Sequence, residues 1–554
     1  MKQISGRSAF LSLLEDEGIT YLFGNPGTTE LPIMDALRQH PDLHYVLGLQ
    51  ESIVVAMADG YARASGRLAA CNVHVAPGLG NAMGAIYNAK WFGSPVLISA
   101  GQQEQGHGLT EPLLYDPLLP IAQPLVKWAV EVTRLEDLPR IMHRAAKIAL
   151  SPPTGPVFIS LPGDILNAEA ALNLGQPTRI SANTRPDDIT LARLADRLLA
   201  ANNPVIVAGH ELATHDALDE AAALAELLGA PVYQQTVPYG AHFHSEQPTF
   251  MGSLGRNQTR VRQLLEPYDL LILLGADQLR MSVWQETDPL PPHLTIVQIG
   301  ERAWELGKNY PAELAICANI KTTLTALQTL LLAAQSPTGQ DAAQKRLQAL
   351  EANNWTHRRA KLIRDISAQP QRAPIDPHLL MLRIVEALPQ NAVIVEEALT
   401  SAQSLLSLYP LRDHQCYFGL ASGGIGFAIA GVIGIQLALP ERPVLAIIGD
   451  GSAMYSIQAL WTAAHLKLPI TYVIANNRSY RILKERLLAY RGNDQFIGMD
   501  FQQPEIDFVA LAQSMGVTAV RVEQPEAIAP ALREALAHNG PYLLDVRVDD
   551  GFSA

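Results

Sequence analysis

A chain of 554 residues, 48% hydrophobic and 17% charged, can bury several large cores, which argues against disorder and predicts three or four domains. Its net charge of -13 repels phosphates and argues against nucleic acid as a partner. The cysteines are far apart, which excludes a disulfide scaffold, and the first residues lack a signal-peptide pattern, so we expect a cytoplasmic protein.

Strand-like and helical patterns alternate along the chain. In the first third, candidate strands at residues 21–24, 45–49, 68–73, 96–100 and 157–161 alternate with candidate helices at 8–17, 29–38, 51–64, 79–91 and 138–150. Further candidate strands follow at 204–209, 232–235, 270–275, 295–299, 393–396, 444–449, 470–475 and 542–546. This alternation predicts an α/β fold with three doubly wound parallel-sheet domains.

Polar and proline-containing stretches divide this pattern. They predict linkers at residues 175–188, 335–344 and 370–377 and domains at residues 1–178, 189–335 and 355–554. The most apolar stretch, residues 425–439, is interrupted by glycines and is too short to span a bilayer. We therefore expect a buried helix there and no membrane partner.

Two apolar runs in the last third end in polar residues. Residues 444–448 lead into Gly449-Asp450-Gly451-Ser452, and residues 470–475 lead into Asn476-Asn477. Both tips are expected at the C-terminal ends of parallel strands, where open α/β sheets bind ligands. Carboxylate and amide oxygens suit Mg²⁺, and the glycines let the backbone approach a diphosphate closely.

This spacing resembles the cofactor motif of the thiamine-diphosphate-dependent enzyme superfamily. The resemblance implies that Asp450, the side chain of Asn477 and the backbone carbonyl of Ser479 bind Mg²⁺. A second segment, Leu49-Gln50-Glu51, resembles the part of the superfamily that carries its activating glutamate. Such a carboxyl hydrogen-bonds N1′ of the aminopyrimidine and favours the imino tautomer, whose nitrogen takes the proton from C2 of the thiazolium.

Further segments narrow the resemblance to the benzoylformate decarboxylase-like branch, with acetolactate synthase-like relatives. Residues 24–32, 73–84, 100–103, 124–128 and 423–428 carry it in this order. The branch implies pyrimidine-binding, central and diphosphate-binding domains, and places Thr28 and His74 against the substrate. It implies cofactor contacts at Glu397, Thr400, Gly423, Ile425, Gly449, Asp450, Gly451, Ser452, Asn477, Ser479 and Tyr480.

The sequence departs from the branch where the substrate is recognised. The branch's second active-site histidine aligns loosely with residues 280–284, where Ser282 replaces it, and His107 is a candidate substitute. The aromatic pocket residues align with Gly419, which would enlarge the pocket, and Arg486, which could bind a carboxylate or phosphate. An ordinary loop position for His107 and a solvent-facing Arg486 remain alternatives. The expected pocket residues are Leu113, Gly419, Ile482 and Arg486.

The resemblance implies non-oxidative decarboxylation of a 2-oxo acid to an aldehyde through an enamine. The alternative is a carboligase, an acyl-transfer enzyme or a 2-hydroxyacyl-CoA lyase that uses the same intermediate, and the missing histidine favours it. Two further functions have less support. The central domain could bind a nucleotide, but residues 204–211 contain no G-x-G-x-x-G loop. A non-catalytic scaffold would have no reason to hold Glu51, Asp450 and Asn477 together. We expect a homodimer or homotetramer with cofactor sites at the subunit interface.

Overall fold

The computed structural model describes residues 2–277, 279–281 and 284–552. The chain forms two compact units. The first comprises residues 1–180, 371–402 and 420–554, and the second comprises residues 181–370 and 403–419.

The N-terminal part of the first unit is a parallel sheet covered by helices. Its strand order is β3-β2-β4-β5-β7-β6, and the short strands β1 and β8 form a separate antiparallel pair. Buried apolar side chains of the strands and of the first, third, fourth and sixth helices form its core. The elements are β1 (Lys2–Ser5), α1 (Gly6–Asp16), β2 (Tyr21–Gly24), α2 (Leu31–Ala36), β3 (His44–Leu47), α3 (Glu51–Ser65), β4 (Ala69–Val73), α4 (Val75–Phe92), β5 (Val96–Gln102), α5 (Leu118–Ala122), β6 (Ala129–Glu131), α6 (Leu138–Leu150), β7 (Val157–Pro162), α7 (Gly163–Asn167) and β8 (Glu169–Leu172).

The second unit contains another parallel sheet, with the strand order β11-β10-β9-β12-β13-β14. Its elements up to residue 367 are α8 (Asp188–Leu199), β9 (Pro204–Ala208), α9 (His210–Thr214), α10 (Leu218–Leu228), β10 (Val232–Gln234), β11 (Phe250–Ser253), α11 (Gln258–Leu265), β12 (Leu270–Leu274), β13 (Thr295–Gly300), β14 (Leu314–Cys317), α12 (Ile320–Ala334), α13 (Pro337–Glu351) and α14 (Trp355–Ser367).

The C-terminal part of the first unit forms a third parallel sheet, which runs β15-β17-β18-β20-β19 within this unit. In the list that follows, α16 and β16 belong to the second unit. The elements are α15 (Pro377–Ala387), β15 (Val393–Glu397), α16 (Leu405–Leu408), β16 (Tyr417–Phe418), α17 (Phe427–Ala438), β17 (Val444–Gly449), α18 (Asp450–Ala453), α19 (Ala459–His465), β18 (Ile470–Asn476), α20 (Arg481–Arg491), α21 (Phe508–Ser514), β19 (Thr518–Val522), α22 (Ile528–Ala537) and β20 (Tyr542–Arg547).

The prediction of an α/β fold with three parallel sheets is confirmed. The linker predicted at residues 335–344 is wrong, because α13 begins at Pro337. Ser336 caps this helix by accepting a hydrogen bond from the backbone N–H of Gly339, and proline is well suited to the first turn. Residues 173–187 contain no helix or strand, as expected for a linker.

Helix α17 is the buried helix expected from the apolar stretch. It packs closely along α3 through glycines: a Cβ atom on Gly60 would collide with the carbonyl of Gly431, and one on Gly434 would collide with the carbonyl of Met57. Such close backbone approach requires glycine. Across the described residues, none of the helices combines the length and apolar character that a bilayer crossing requires.

Candidate active site

His74 follows the C-terminal end of β4 and is held by a buried carboxylate. Its Nδ1 lies 2.8 Å from Oε2 of Glu30, which is fully buried. The Glu30 carboxylate also accepts hydrogen bonds from the N–H of Gly27 at 3.0 Å, the hydroxyl of Thr29 at 2.9 Å and the N–H of Gly101 at 2.7 Å. Because a carboxylate only accepts, Nδ1 of His74 carries the proton and Nε2 is left to face a ligand.

The predicted substrate contact Thr28 lies in the turn between β2 and α2, on the same strand-end edge as His74. Its side chain is exposed, whereas the neighbouring Thr29 places its hydroxyl 3.2 Å from Nδ1 of His74. Gly27 lies against the imidazole so closely that a Cβ atom there would collide with the ring. Thr28 is therefore accessible to a ligand, and Thr29 belongs to the support of His74.

Glu51 begins α3 and lies against the first turns of α4. Its side chain is largely buried, and Oε2 accepts a hydrogen bond of 3.0 Å from Nδ2 of Asn81. A Cβ atom on Gly78 would lie 2.8 Å from Oε1, so only glycine leaves room for the carboxyl group here. Within the described residues Oε1 has no hydrogen-bond partner, which leaves this oxygen able to meet a ligand.

Asp450 is the first residue after β17 and carries an unsatisfied buried oxygen. Oδ1 accepts a hydrogen bond of 2.8 Å from the N–H of Gly451, whereas Oδ2 is buried without a hydrogen-bond partner in the described part of the chain. Burial raises the pKa of Asp450 to about 6, and the backbone N–H groups of Gly451, Arg478 and Ser479 oppose that rise. An unpaired buried acceptor costs about 1–3 kcal/mol, which a bound cation would relieve.

The second predicted motif lies beside Asp450 as residues 477–480, which we call the metal loop. Oδ1 of Asn477 accepts hydrogen bonds from the N–H and the hydroxyl of Ser479, at 2.9 and 3.3 Å. The ring of Tyr480 fills the space next to Gly451, where a Cβ atom would lie 2.7 Å from a ring carbon. The structure thus brings the two motifs together, and one carboxylate, one amide oxygen and a backbone carbonyl fit Mg²⁺. Gly449 and Ser452 flank this group on the Asp450 side.

Glu397 anchors the beginning of α17. Its two carboxylate oxygens accept hydrogen bonds from the N–H groups of Gly426 and Ala428, at 2.6 and 2.7 Å. Burial raises the pKa of Glu397 to about 8. Both oxygens of Glu397, a residue predicted to contact the cofactor, therefore already accept hydrogen bonds from the backbone, while Thr400 lies largely buried in the next turn.

Residues 422–426 form the loop before α17 and are held by α4. Nδ2 of Asn88 donates a hydrogen bond of 2.6 Å to the carbonyl of Gly424, and the hydroxyl of Ser422 bonds to Oδ1 of the same asparagine. Gly423 is exposed with φ +89° and open space around it, and Ile425 is partly buried. The loop therefore presents Gly423 and Ile425 outward.

The predicted substrate residues lie in separate places. His107 and Leu113 are exposed on the segment after β5, whereas Ile482 and Arg486 are partly buried on α20. In the described chain the Arg486 guanidinium has no hydrogen bond or ion pair. Both readings of Arg486 therefore stay open, and Ser282 lies outside the described residues.

Gly419 was predicted to enlarge the pocket, but the space next to it is already filled by neighbouring residues. A Cβ atom on Gly419 would lie 2.9 Å from the hydroxyl oxygen of Tyr417 and 3.3 Å from the Cα of Tyr239. Other residues of the second unit pack into the space that a side chain at position 419 would occupy, so the small residue does not by itself create a cavity.

Backbone strain marks three positions next to the predicted residues. Val75, Leu399 and Arg478 have φ values of +38°, +46° and +57°, a region that residues with a Cβ atom rarely adopt. They adjoin His74, Thr400 and the two predicted metal ligands of the metal loop. Such strain of about 1–3 kcal/mol per residue persists where the surrounding structure enforces it, often at functional sites.

Two supporting residues, Glu30 and Asn81, were not assigned a role from sequence. Both stand inside the motifs that carry the family resemblance, and Glu30 has a local signal. It is the third residue of a short helical turn and accepts the N–H of Gly27, as a capping glutamate does. Asn81 carries no such signal, because its partner Glu51 is thirty positions away in sequence.

Three family models match the chain: the N-terminal TPP binding domain of the thiamine pyrophosphate enzymes over residues 4–113, their central domain over residues 191–327, and their C-terminal TPP binding domain over residues 400–546.

Curated relatives match along nearly the whole length. The chain is 33% identical to a benzoylformate decarboxylase of Pseudomonas aeruginosa, over 97% of this chain and 98% of that protein. It is 27% identical to the acetolactate synthase isozyme 3 large subunit of Escherichia coli, over 99% and 96%.

A solved thiamine diphosphate-dependent 4-hydroxybenzoylformate decarboxylase of Rhodococcus jostii superimposes with a TM-score of 0.86 at 31% identity, covering 99% of both chains. A benzoylformate decarboxylase of Polynucleobacter necessarius gives a TM-score of 0.88 at 27% identity, also over 99% of both chains.

Proposed function

The chain belongs to the thiamine pyrophosphate enzymes, and we propose that within this family it is a non-oxidative decarboxylase of a 2-oxo acid. In this reaction the bond between the carbonyl carbon and the carboxylate breaks, carbon dioxide leaves, and a proton takes its place to give an aldehyde. The observation that carries the proposal is the His74–Glu30 pair, which offers a positioned proton donor and acceptor at the strand ends.

Thiamine diphosphate, when bound, supplies a carbon nucleophile and an electron sink for the carboxylate that leaves. We propose that Asp450, Asn477 and the backbone carbonyl of Ser479 hold its Mg²⁺. The unsatisfied Oδ2 of Asp450 supports this, because a cation there would pair with a buried charge. Gly449, Ser452 and Tyr480 would border the diphosphate.

Glu51 would act at the aminopyrimidine. Its Oε2 is fixed by Asn81 and its Oε1 is without a partner in the described chain, so this carboxyl group can exchange a proton with a ring nitrogen at Oε1. We propose that Gly423 accepts the amino hydrogen of that ring through its carbonyl and that Ile425 supports the bend of the cofactor. Glu397 and Thr400 would affect the cofactor indirectly, by holding the beginning of α17 and the adjoining turn in place.

His74 would handle the proton of the substrate at Nε2. The Glu30 carboxylate fixes Nδ1–H and stabilises the positive charge that the imidazole gains when Nε2 takes a proton. The exposed hydroxyl of Thr28 lies on the same edge and could bind the substrate carboxylate. His107 is exposed on the loop after β5, and we keep it as a second candidate for proton transfer.

Carboligation is the second candidate, because the similarity to acetolactate synthase large subunits also extends over 99% of the chain. The two reactions differ in what attacks after carbon dioxide leaves: a proton gives an aldehyde, whereas a second carbonyl compound gives a new carbon–carbon bond. Acyl transfer and 2-hydroxyacyl-CoA lyase chemistry belong to the same alternative.

We further propose that the active species is a homodimer or homotetramer whose sites combine residues of two chains. On α4, Asn81 holds Glu51 and Asn88 holds Gly424. The two asparagines are seven positions apart, or roughly 10 Å along the helix axis. Because Glu51 and Gly423 would serve one aminopyrimidine ring, this separation favours a ring that takes each of them from a different chain.

The test is a panel of 2-oxo acids with product identification, using protein loaded with thiamine diphosphate and Mg²⁺. Aldehyde as the main product supports decarboxylation; a 2-hydroxy ketone as the main product would replace it by the second candidate. The panel compares benzoylformate with aliphatic and acidic 2-oxo acids in the wild type and in Arg486→Phe. A charge-assisted contact at Arg486 would favour acidic side chains about 10–150-fold and vanish in the variant. An unchanged ranking would place Arg486 in solvent.

A further inference from the structure

Of the residues of α20, all of which the structure describes, Lys484 is the only one that is buried, although it is a lysine on a helix that also carries several apolar side chains. Its side chain is 4% exposed, and its ammonium lies 2.6 Å from Oδ1 of Asp500 and 3.6 Å from Oδ2 of Asp550. The ammonium also lies 5.3 and 5.8 Å from the ring centroids of Phe496 and Phe552. Lysine is almost never buried without such partners. The side chain therefore links α20 to two other segments, one containing Asp500 and one containing Asp550.

The first segment is residues 499–501, which we call the cover segment. It lies alongside the metal loop: the N–H of Tyr480 donates to the carbonyl of Met499, and the N–H of Phe501 donates to the carbonyl of Arg478, both at 2.9 Å. The rings of Tyr480 and Phe501 meet edge to face, with centroids 4.5 Å apart. Asp500 lies at the centre of this segment, so the Lys484–Asp500 ion pair ties the metal loop's cover to α20.

The second segment is residues 548–552, which we call the C-terminal tail. The N–H of Val548 donates to the carbonyl of Asn476, the residue before the metal loop, at 3.1 Å. The guanidinium of Arg481 donates to the carbonyl of Asp549, also at 3.1 Å. Asp550 follows, with its side chain 7% exposed against Lys484. The tail is therefore fixed at both ends of the metal loop.

We propose that Lys484 is a positioning residue that locks the metal loop between the cover segment and the C-terminal tail, and that it thereby slows the release of Mg²⁺ and thiamine diphosphate. The inference rests on the proposed metal site. Lys484 does not touch that site itself; it acts by neutralising Asp500 and Asp550 together, so that both segments can close on the loop.

Loss of the ammonium would remove the cation that Asp500 and Asp550 share. Asp550 is buried, and breaking a buried ion pair by removing one partner is strongly unfavourable even though the N–H of Phe552 still donates to Asp550. Asp500 is already exposed, so the tail is the segment that would have to move out to bring Asp550 to water. That movement removes the hydrogen bond from Val548 to Asn476, while the cover segment loses its ion pair to α20, and the proposed metal ligands next to them lose their fixed geometry.

The experiment measures how fast Mg²⁺ and thiamine diphosphate leave preloaded protein after dilution into chelator, with the released cofactor quantified over time. We expect Lys484→Met to release cofactor at least tenfold faster than the wild type and Lys484→Arg to restore retention to within threefold. Asp550→Asn should fall between them. The matched control is Arg491→Met, which removes an exposed cation from the end of the same helix and should release at the wild-type rate.

A double variant, Lys484→Met/Asp550→Asn, tests the coupling and also guards against a folding failure of the single lysine variant. If the two residues act through one contact, its release rate should equal or lie below that of Lys484→Met. Wild-type release from the folded lysine variants, or equal acceleration in Arg491→Met, would overturn the inference. If Asp450→Ala retains cofactor normally, the proposed metal site fails instead; if it loses cofactor while Lys484→Met does not, only the role of Lys484 fails.

Discussion

Replacement of Glu30 by glutamine tests the role of His74, because the side chain next to the histidine keeps its size and shape and loses only its charge. Each carboxylate oxygen of Glu30 accepts two donors: Oε1 serves Thr29 and Gly101, and Oε2 serves Gly27 and His74. In glutamine, one of the two carboxylate oxygens is replaced by an NH₂ group. This NH₂ group then faces two groups that donated to the lost oxygen. Either arrangement leaves one backbone N–H against the NH₂ group, because the imidazole can change tautomer and the Thr29 hydroxyl can turn to accept. The arrangement with NH₂ toward the histidine costs less, since it keeps the shorter, fully buried hydrogen bond from Gly101 and gives up the longer, part-buried one from Gly27.

In that arrangement Nδ1 of His74 becomes the acceptor and Nε2 carries the proton in the neutral ring. The ring can then no longer take up a second proton and donate one from Nε2 to the substrate. In the Ser-His-Asp triad of serine proteases, where the acid fixes the tautomer in the same way, the corresponding change of acid to amide costs on the order of 10⁴-fold in kcat, which we take as an upper bound here. The N–H of Gly27 would also be left against the amide, which costs about 1–3 kcal/mol of stability as an unsatisfied buried donor.

The assay follows decarboxylation of the best 2-oxo acid of the panel across pH, for the wild type, Glu30→Gln, His74→Ala and the double variant. We expect Glu30→Gln to lower kcat/KM by 10²-fold or more and to flatten the pH profile. In the His74→Ala background the same substitution should have little further effect, since the tautomer no longer matters. An equal loss in both backgrounds would refute the reasoning and make Glu30 a purely structural residue.

The remaining predictions concern the cofactor, the assembly and pH. Asp450→Ala should lose Mg²⁺-dependent cofactor retention in equilibrium dialysis with unchanged circular dichroism, since the buried carboxylate is its proposed ligand. Glu51→Gln should bind cofactor but exchange the C2 proton about 10²–10⁴-fold more slowly by NMR, and wild-type exchange would refute its role. Mixing these two inactive variants should restore part of the activity if each site draws on two chains; verified subunit exchange without rescue would contradict this. Burial raises the pKa of Asp59 to about 6, so its stabilising contribution is complete below about pH 4 and is lost as pH rises to about 6. Asp59→Asn should therefore shift the melting temperature upward relative to the wild type at pH 7 and not at pH 4, and the same shift at both pH values would count against it.

The sequence indicated the fold, and it placed the proposed metal ligands next to one another, because both depend on local pattern. Buried parallel strands appear as short apolar runs, and polar residues directly after two such runs must lie at the same sheet edge. Asp450 and the metal loop accordingly lie together. The helix at residues 337–351 is hard to recognise because the stretch is polar, and only Ser336 and Pro337, which form a good N-terminal cap, indicate it in the sequence.

What could not be predicted depends on contacts between distant positions. A lysine in a helix that also offers leucine and isoleucine side chains normally faces solvent, and Lys484 is buried because the cover segment and the C-terminal tail close over it. Gly419 illustrates the opposite case: a small residue suggested open space, but Tyr417 and Tyr239 occupy it. Volume beside a glycine is a property of its neighbours, which one aligned position does not reveal.

The strained residue Val75 connects a local sequence motif with contacts between distant positions. Val75 is fully buried with φ +38°, a conformation that is costly for a β-branched residue, and it directly follows His74. The N–H of Gly78 donates to the carbonyl of His74 at 2.7 Å, and Gly78 in turn leaves room for Glu51. The first turn of α4 thus fixes His74 at its beginning and Glu51 along its side. A relaxed backbone at Val75 would move one of these side chains relative to the other, so the packing of the buried face of α4 maintains the geometry that the proposed chemistry needs.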